Sequence, residues 1–240
     1  MVNQIKLVED WYEENYSSSG LNAQRHYPNE ELLRFMGRNF FGIKMKKRKN
    51  IHILEIGCGS CANLWMIAKE GFVAHGLDIS EEAINLGHKM LDKWCAGGGA
   101  DLRVASMTEL PYEKNYFDAV VDVFSSYCLN EKDFSVCLKN VVRVLKPGGR
   151  FFSYTPGKGA DAYQNHQPSK MIDSSTLNGI HRQNSPFTGN HYPFRFIHPV
   201  EFQELISEAG LKVSYLETVS RSYFSRQETF EHVVLEAVKD

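Results

Sequence analysis

An apolar segment that ends in two closely spaced glycines places the strongest constraint on the fold of this chain. Residues 51–56 read Ile-His-Ile-Leu-Glu-Ile, and Gly57 and Gly59 follow directly. The apolar run is typical of a strand buried in the centre of a sheet, and the two glycines allow a sharp turn. Because residues 62–69 can continue as a helix, the segment predicts a strand–turn–helix crevice in which a ligand contacts the backbone.

Three further segments follow the glycine turn in a fixed order. Residues 72–78 read as a second strand that ends in Asp78, whose carboxylate can accept hydrogen bonds from both hydroxyls of a ribose. Residues 116–121 form a third apolar strand, and residues 142–149 close a helix and lead into another strand. The glycine turn by itself also satisfies the spacing of the dinucleotide dehydrogenases, so it leaves that alternative open.

The alternation of strand and helix patterns predicts the fold class. Strands are expected near residues 51–56, 72–77, 101–105, 118–123 and 149–155, with helical patterns between them, notably over 81–91 and 132–145. This order predicts an α/β fold with a parallel sheet and helices on both faces. A short helix from Val200 to Gly210 precedes two strands, 211–216 and 231–238, which can pair as a hairpin.

Taken together, the ordered segments resemble the class I S-adenosylmethionine (SAM) dependent methyltransferases, from about Ile51 to the C-terminus. The resemblance implies a Rossmann-like seven-stranded sheet whose last strand is antiparallel. It also implies SAM as cofactor and S-adenosylhomocysteine (SAH) as product. In this family the glycine turn lies under the methionine part of SAM, the acid at the position of Glu55 helps to hold it, and the acid at Asp78 binds the ribose. The cofactor-binding residues that the resemblance implies are Glu55, Gly57, Cys58, Gly59, Asn63, Asp78, Ile79, Ser106, Met107 and Asp122.

Two positions modify this pattern. Family members usually carry Asp where this chain has Ser106, whose hydroxyl can still accept a hydrogen bond from the adenine amino group, although more weakly. Arg25 lies in a stretch that looks similar to the N-terminal arginine region of quinone-type small-molecule methyltransferases. Its planar guanidinium suits bidentate binding of a carboxylate, so Arg25 is a further candidate for binding the carboxylate of SAM.

Two segments outside this core are expected to determine the choice of substrate. Residues 1–49 are predicted to form a helical cap over the SAM-binding domain of residues 50–240, because they are rich in aromatic side chains that include Trp11, Tyr12 and Tyr16. An insertion at about 155–198 is too long for an ordinary connection and is expected to form a lid or a pocket wall. Its side chains could stack on a flat substrate, bind an acidic group or accept a proton: Tyr163, His166, Lys170, His181, Arg182, His191, Tyr192, Phe194, Arg195 and His198.

Methyl transfer to a hydroxyl requires that the acceptor is aligned with the methyl group and that its proton is removed. Histidine suits the role of base near neutral pH, and the candidates are His181, His166 and His191. His181 is preferred because the adjacent Arg182 could hold an anionic substrate. For each of these histidines, a structural role is the competing interpretation.

Composition restricts the remaining classes of function. A net charge of −2 gives no general attraction to nucleic acid or to anionic membranes. No apolar run approaches the roughly 20 residues of a membrane span. We therefore expect a cytoplasmic protein, monomeric or weakly dimeric, with no membrane or nucleic-acid partner. The five cysteines are irregularly spaced, so we expect neither a disulfide framework nor a metal site, and Cys58 and Cys61 are interpreted as packing residues.

The sequence thus predicts a SAM-dependent methyltransferase that acts on an oxygen, or a nitrogen, of a small-molecule acceptor. A tRNA base methyltransferase is one alternative, because a basic run at residues 44–49 could contact phosphates, although it also fits a solvated connector. A protein that binds SAM without catalysis is another alternative. An NAD-linked oxidoreductase is the third, and the lack of a second nucleotide-binding half disfavours it.

Overall fold

The computed structural model of the protein describes residues 4–95 and 99–240. The helices are α1 (Gln4–Ser19), α2 (Glu30–Asn39), α3 (Met45–Arg48), α4 (Leu64–Lys69), α5 (Glu81–Trp94), α6 (Glu131–Val144), α7 (Asp161–Gln164) and α8 (Pro199–Glu208). The strands are β1 (His52–Ile56), β2 (Val73–Asp78), β3 (Asp101–Val104), β4 (Phe117–Val123), β5 (Leu145–Pro156), β6 (Thr176–Leu177), β7 (Phe194–Arg195), β8 (Leu211–Tyr223) and β9 (Glu228–Lys239). Short 3-10 turns occupy Leu21–Ala23 and Ser126–Cys128.

The main sheet has seven strands in the order β3-β2-β1-β4-β5-β9-β8. The first five strands in this order are parallel to one another, whereas β9 runs antiparallel to both β5 and β8. The predicted α/β fold with an antiparallel last strand is therefore confirmed, as is the pairing of the last two strands as a hairpin. A separate antiparallel pair, β6 and β7, lies within the insertion.

Local sequence signals explain where the long helices begin. The Ser80 hydroxyl accepts a hydrogen bond from the Ala83 N–H, at 3.0 Å, and caps α5. The Asn130 side chain accepts from the Asp133 N–H, at 2.9 Å, and caps α6. Helix α6 ends at Val144, and β5 begins at the next residue. The Pro147–Gly148 pair therefore lies in the strand rather than at the end of the helix.

The apolar residues of the strands alternate between two cores, one on each face of the sheet. Leu54 and Val120 belong to the core that contains the buried faces of α6 and α8. Ile53 and Val121 belong to the core that contains those of α2, α4 and α5. Because a strand directs successive side chains to opposite faces, this division follows from the apolar runs in the sequence.

Two segments outside the main sheet carry further helices and short strands. Helices α1 to α3 lie within residues 1–49, of which 1–3 fall outside the described residues. The insertion carries α7, β6 and β7, and the Arg182 side chain joins it to β9 through the buried Glu228 carboxylate at 3.0 Å. None of the helices among the described residues is long and apolar enough to cross a membrane.

Candidate functional site

A cavity lies at the carboxyl ends of β1, β2 and β4. In this strand order the chain reverses direction across the sheet between β1 and β4, which is where ligands bind in open α/β sheets. The cavity has a volume of about 620 Å³, including its opening to solvent. It is lined by Ile5, Val8, Tyr12, Tyr16, Gly57, Leu77, Asp78, Ile79, Ala105, Ser106, Met107, Phe124, Ser125, Cys128 and Leu129.

The glycine turn forms the floor of the cavity, and its conformation requires glycine. Gly57 and Gly59 have φ angles of +63° and +49°. A Cβ at Gly57 would lie 2.4 Å from Cβ of Ser125, and a Cβ at Gly59 would lie 2.7 Å from the Tyr16 hydroxyl. No side chain fits at Gly57 without movement of the backbone. The backbone of the turn is consequently available to a ligand.

Asp78 lies beside this turn, at the end of β2. Its carboxylate accepts hydrogen bonds from the Gly59 N–H at 2.9 Å and from the Ser80 N–H at 3.0 Å, one at each oxygen. Burial raises the pKa of Asp78, and the backbone hydrogen bonds act against this rise. Because each carboxylate oxygen has two lone pairs, both can accept a further hydrogen bond from a ligand.

Glu55, Asn63 and Arg25 form a chain of polar contacts next to the glycine turn. The Asn63 amide donates to Glu55 Oε1 at 2.5 Å, and the Arg25 guanidinium donates to Asn63 Oδ1 at 2.9 Å. Glu55 is 2% exposed, and its Oε2 atom has no hydrogen-bond partner among the described residues. Burial raises the pKa of Glu55 to about 8, although the hydrogen bond from Asn63 lowers it.

Of four other predicted cofactor residues, three line the cavity and one does not. Ile79, Ser106 and Met107 line the cavity, and the Ser106 hydroxyl also lies 2.7 Å from that of Thr108. Cys58 is buried beneath the turn, with its sulfur 3.8 Å from the Gly59 carbonyl oxygen. It is not among the lining residues. All five cysteines are buried free thiols.

Asp122 is fully buried at the end of β4, and its carboxylate is occupied by the turn that follows. Its oxygens accept hydrogen bonds from the backbone and hydroxyl of Ser125, from the backbone and hydroxyl of Ser126, and from the hydroxyl of Ser153. It is not a lining residue. Asp122 therefore acts in this structure by shaping the turn that carries Ser125 and Cys128.

The three candidate catalytic histidines lie in the insertion, and none of them lines the cavity. His166 Nδ1 is 3.0 Å from the backbone carbonyl oxygen of Tyr163. The rings of His181 and His191 are tilted against each other with centroids 5.3 Å apart, and His191 is exposed. The structure thus does not bring these histidines together with the glycine turn, and their role as bases stays a prediction.

Three tyrosine hydroxyls from separate parts of the chain meet next to the cavity. Tyr12 from α1 lies 2.6 Å from Tyr127 and 3.2 Å from Tyr192 of the insertion, and Tyr127 lies 2.8 Å from Tyr192. Burial raises the pKa of all three, that of Tyr192 to about 12, so the hydroxyls are neutral. We call these three residues the tyrosine ring.

Sequence reasoning identified two members of the tyrosine ring only as aromatic residues of the cap and the insertion, and it missed Tyr127. It also missed Glu13 of α1, whose carboxylate accepts from the Ser80 hydroxyl at 2.6 Å and from the Glu82 N–H at 3.2 Å. The position of Tyr127 just after the third apolar strand, where loops bind ligands, was the available signal.

A group of stacked rings lies beside the lining residue Phe124. The His232 ring stacks on Tyr154 with centroids 4.5 Å apart and lies 5.5 Å from the Phe124 ring. His232 is 4% exposed, and its Nδ1 atom has no hydrogen-bond partner among the described residues. Burial lowers the pKa of His232 to about 4, so its imidazole is neutral near pH 7.

Comparison with known protein families identifies the domain that contains the cavity. A family profile described as a methyltransferase domain matches residues 53–149. The chain carries a methyltransferase domain. The matched residues run from β1 to the start of β5, and they include the glycine turn and Asp78. The resemblance to the SAM-dependent methyltransferases, and with it the predicted enzyme class and cofactor of this domain, is thereby confirmed.

Several curated proteins resemble the chain around this methyltransferase domain. A sterol 4-C-methyltransferase of Caenorhabditis elegans is 28% identical over 111 residues, which are 46% of this chain and 33% of that protein. A demethylmenaquinone methyltransferase of Geobacillus kaustophilus is 28% identical over 194 residues, which are 78% of this chain and 70% of that protein. The chain spans less than half the length of the first of these relatives.

Solved structures agree in fold. A SAM-dependent methyltransferase of Methanosarcina mazei superimposes with a TM-score of 0.67 at 23% identity, over 80% of this chain and 93% of that one. The magnesium protoporphyrin IX methyltransferase of Synechocystis, solved with bound SAH, gives a TM-score of 0.69 at 11% identity, over 99% of this chain and all of that one (100%). At these identities the likeness establishes the fold alone.

Proposed function

We propose that this protein transfers a methyl group from SAM to a small-molecule acceptor. The observation that carries the proposal is Glu55 Oε2, a buried carboxylate oxygen with no partner among the described residues, next to the glycine turn of a methyltransferase domain. A buried acceptor without a donor costs about 1–3 kcal/mol, and more when it is charged. The positively charged amino group of the methionine part of SAM would donate to this oxygen and would favour the ionised form of Glu55 over the protonated form that burial favours.

The other residues around the cavity also fit SAM. Arg25 contacts Asn63 on the side opposite to Glu55, so it can bind the methionine carboxylate while Glu55 binds the amino group. Asp78 retains lone pairs for the two ribose hydroxyls. Ile79 and Met107 supply apolar surface for the adenine, and Ser106 can accept from its amino group.

Catalysis then depends on alignment and on the exclusion of water. SAM, when bound, supplies a methyl group on a positively charged sulfur. The glycine turn would hold the amino-acid part of SAM and Asp78 would hold the ribose, while α1 covers the cavity with Tyr12 and Tyr16. Holding two reactants in line replaces a bimolecular encounter by an intramolecular one, which can lower the barrier by roughly 7–11 kcal/mol.

The tyrosine ring supports a small, uncharged acceptor. Of its three neutral hydroxyls, that of Tyr12 belongs to a residue that lines the cavity and can exchange a hydrogen bond with a polar group of the acceptor. Trp11, Phe124 and Phe194 surround the ring with aromatic surface. A polyanion such as tRNA would meet no lysine or arginine among the described residues that line this cavity. We therefore propose an oxygen, or a nitrogen, of a small ring compound as the methyl acceptor.

A carbon acceptor is the second candidate, and one observation favours it. No histidine lies among the described residues that line the cavity, and the carboxylate of Asp78 is engaged by backbone N–H groups. A nucleophilic carbon that needs no proton removed before attack would suit such a cavity. The relative from Caenorhabditis elegans is named as a C-methyltransferase.

We further propose that residues 1–49, of which the structure describes 4–49, act as a cap over the domain of residues 50–240, and that the insertion at about 155–198 forms a lid or a wall of the acceptor site. The tyrosine ring supports both assignments, because it joins the cap to the insertion through Tyr12 and Tyr192.

Calorimetric titration of the purified protein with SAM, SAH and NAD tests this proposal. We expect binding of SAM and SAH that Asp78→Ala and Glu55→Gln weaken at least tenfold, whereas Glu208→Gln on the exposed face of α8 leaves it unchanged. Binding of NAD alone, or of none of the three, would refute the proposed cofactor. Binding without turnover of any acceptor in a broad panel would instead indicate a SAM-binding protein that is not an enzyme.

A further inference from the structure

A second cavity lies between the insertion, α6 and α8, apart from the residues that line the proposed cofactor site. Its volume is about 630 Å³, including its opening to solvent. The Arg195 side chain forms part of its wall, although only 1% of this residue is exposed. Phe134, Ile197 and Leu205 give the same cavity an apolar side, and Ser175 contributes a buried hydroxyl.

The guanidinium of Arg195 uses few of its hydrogen-bond donors. Its Nη2 atom lies 3.4 Å from both the carbonyl oxygen and the hydroxyl of Ser126, and these contacts are long. Its Nε and Nη1 atoms have no partner among the described residues. Each of the two edges through which a guanidinium binds a carboxylate therefore has at least one nitrogen that is not engaged.

The charge of Arg195 is only partly compensated from within the chain. The Phe134 ring covers one face of the guanidinium, with Cζ 3.6 Å from the ring centroid. Burial lowers the pKa of Arg195 to about 10, and the carboxylates of Asp122 and Asp173 act against this, so the guanidinium stays charged at neutral pH. Asp122, however, is already occupied by three serines.

Two carboxylates lie at the exposed side of the cavity, and both have partners. Glu201 pairs with the Lys158 ammonium at 2.7 Å, and Glu131 accepts a hydrogen bond from the Ser174 hydroxyl. Because both glutamates are exposed, water screens their charge, whereas the buried Arg195 is screened much less. The interior of the cavity is therefore the part that attracts an anion.

From this geometry we propose that the cavity at Arg195 is a binding site for a small carboxylate with a short apolar body. The planar guanidinium matches a planar carboxylate, and Phe134, Ile197 and Leu205 match the apolar part. The site differs from the proposed cofactor cavity, but Arg195 contacts Ser126, which lies in the same turn as the cofactor-cavity residues Ser125 and Cys128.

Three simple probes test the proposal: benzoate, its neutral isostere benzamide, and inorganic phosphate. In calorimetric titrations of the full chain, we expect benzoate to bind at least about tenfold more tightly than either of the others, the range that a charge-assisted hydrogen bond supports. Benzoate that binds no better than benzamide would overturn the proposal. Phosphate that binds as tightly as benzoate would overturn the choice of a carboxylate.

Variants locate the binding. Arg195→Lys keeps the charge but loses the planar fork, and we expect it to weaken benzoate at least about tenfold. Leu205→Trp should fill the cavity and abolish binding, whereas Arg34→Lys, in an exposed arginine of α2 that pairs with Glu30, should change nothing. Benzoate affinity that survives both Arg195→Lys and Leu205→Trp would overturn the site. The comparison of the three probes uses the unmodified chain, so it remains valid even if Arg195→Lys does not fold. Titration of each variant with SAH shows whether the proposed cofactor site is still intact.

Discussion

Replacement of Gly57 by alanine should destabilise the protein through two separable effects. The first is the left-handed backbone at φ +63°, which costs an L-residue roughly 1–2 kcal/mol. The second is the approach of the new Cβ to within 2.4 Å of Cβ of Ser125, which forces a shift that costs about 1–3 kcal/mol. The expected loss in the free energy of unfolding is therefore roughly 2–5 kcal/mol.

Gly148 provides a matched control. It also has a positive φ, +74°, but a Cβ there would have no neighbour within 4 Å. Gly148→Ala should thus show only the backbone cost of roughly 1–2 kcal/mol. Urea unfolding of the two variants, in the absence of SAM, gives the difference that belongs to steric contact.

A double-mutant cycle then identifies the contacting residue. Ser125→Gly removes the Cβ that Gly57→Ala would meet, so the double variant should recover about 1–3 kcal/mol relative to the sum of the single changes. The reasoning fails if Gly57→Ala is no less stable than Gly148→Ala, or if the cycle shows no coupling.

Three more predictions follow from the buried polar groups. The pKa of Glu55 is raised from 4.5 to about 8 in the folded protein. Between these two pH values the folded protein keeps a proton on Glu55 that the unfolded chain has lost. The free energy of unfolding therefore falls as pH rises through this range. Glu55→Gln should remove that fall in urea titrations without SAM, and an unchanged pH profile would contradict it. The contribution of His232 to stability changes with pH in the opposite direction, because its pKa is lowered from 6.5 to about 4. The free energy of unfolding should fall as pH drops from 6.5 towards 4, by at most about 1.4 kcal/mol per pH unit. His232→Gln should flatten this dependence, and the exposed His88→Gln should not. Tyr127→Phe removes a hydroxyl from the tyrosine ring and should lower the free energy of unfolding, measured by thermal unfolding, by about 1–3 kcal/mol. Tyr163→Phe should lower it by less than about 1 kcal/mol, because the Tyr163 hydroxyl donates only to an exposed carbonyl oxygen.

The fold could be predicted from the sequence because its signals are local. Residues 51–56 and 72–77 are rich in apolar side chains, and each forms a strand of the parallel sheet to within one or two residues. Ser80 and Pro199 mark the starts of α5 and α8 as capping chemistry requires. The glycine turn was readable for the same reason, since two glycines after a strand restrict the backbone more than any distant contact does.

The surroundings of the site could not be predicted in the same way, because they depend on contacts between distant segments. Tyr12, Tyr127 and Tyr192 are far apart in sequence, and no periodicity relates them. Asp122 shows the converse: the family resemblance implied a cofactor contact, whereas in the structure its carboxylate accepts hydrogen bonds from Ser125, Ser126 and Ser153. Only the tertiary structure determines whether a buried acid faces a cavity or a neighbouring hydroxyl.

Helix α1 covers the cavity, although few of its side chains are buried. Of the residues in α1, only Val8 is buried, with Trp11 and Tyr12 packed against the same core. Polar contacts of Tyr12 and Glu13 also hold the helix in place. Each such hydrogen bond contributes only about 0.5–1.5 kcal/mol, so α1 can detach at a cost of a few kcal/mol while the sheet stays folded. We infer that a cofactor reaches the glycine turn by displacement of α1. Since Tyr12 belongs to the tyrosine ring and Tyr16 lies over Gly59, the return of this one helix would cover the cofactor and complete the acceptor site together.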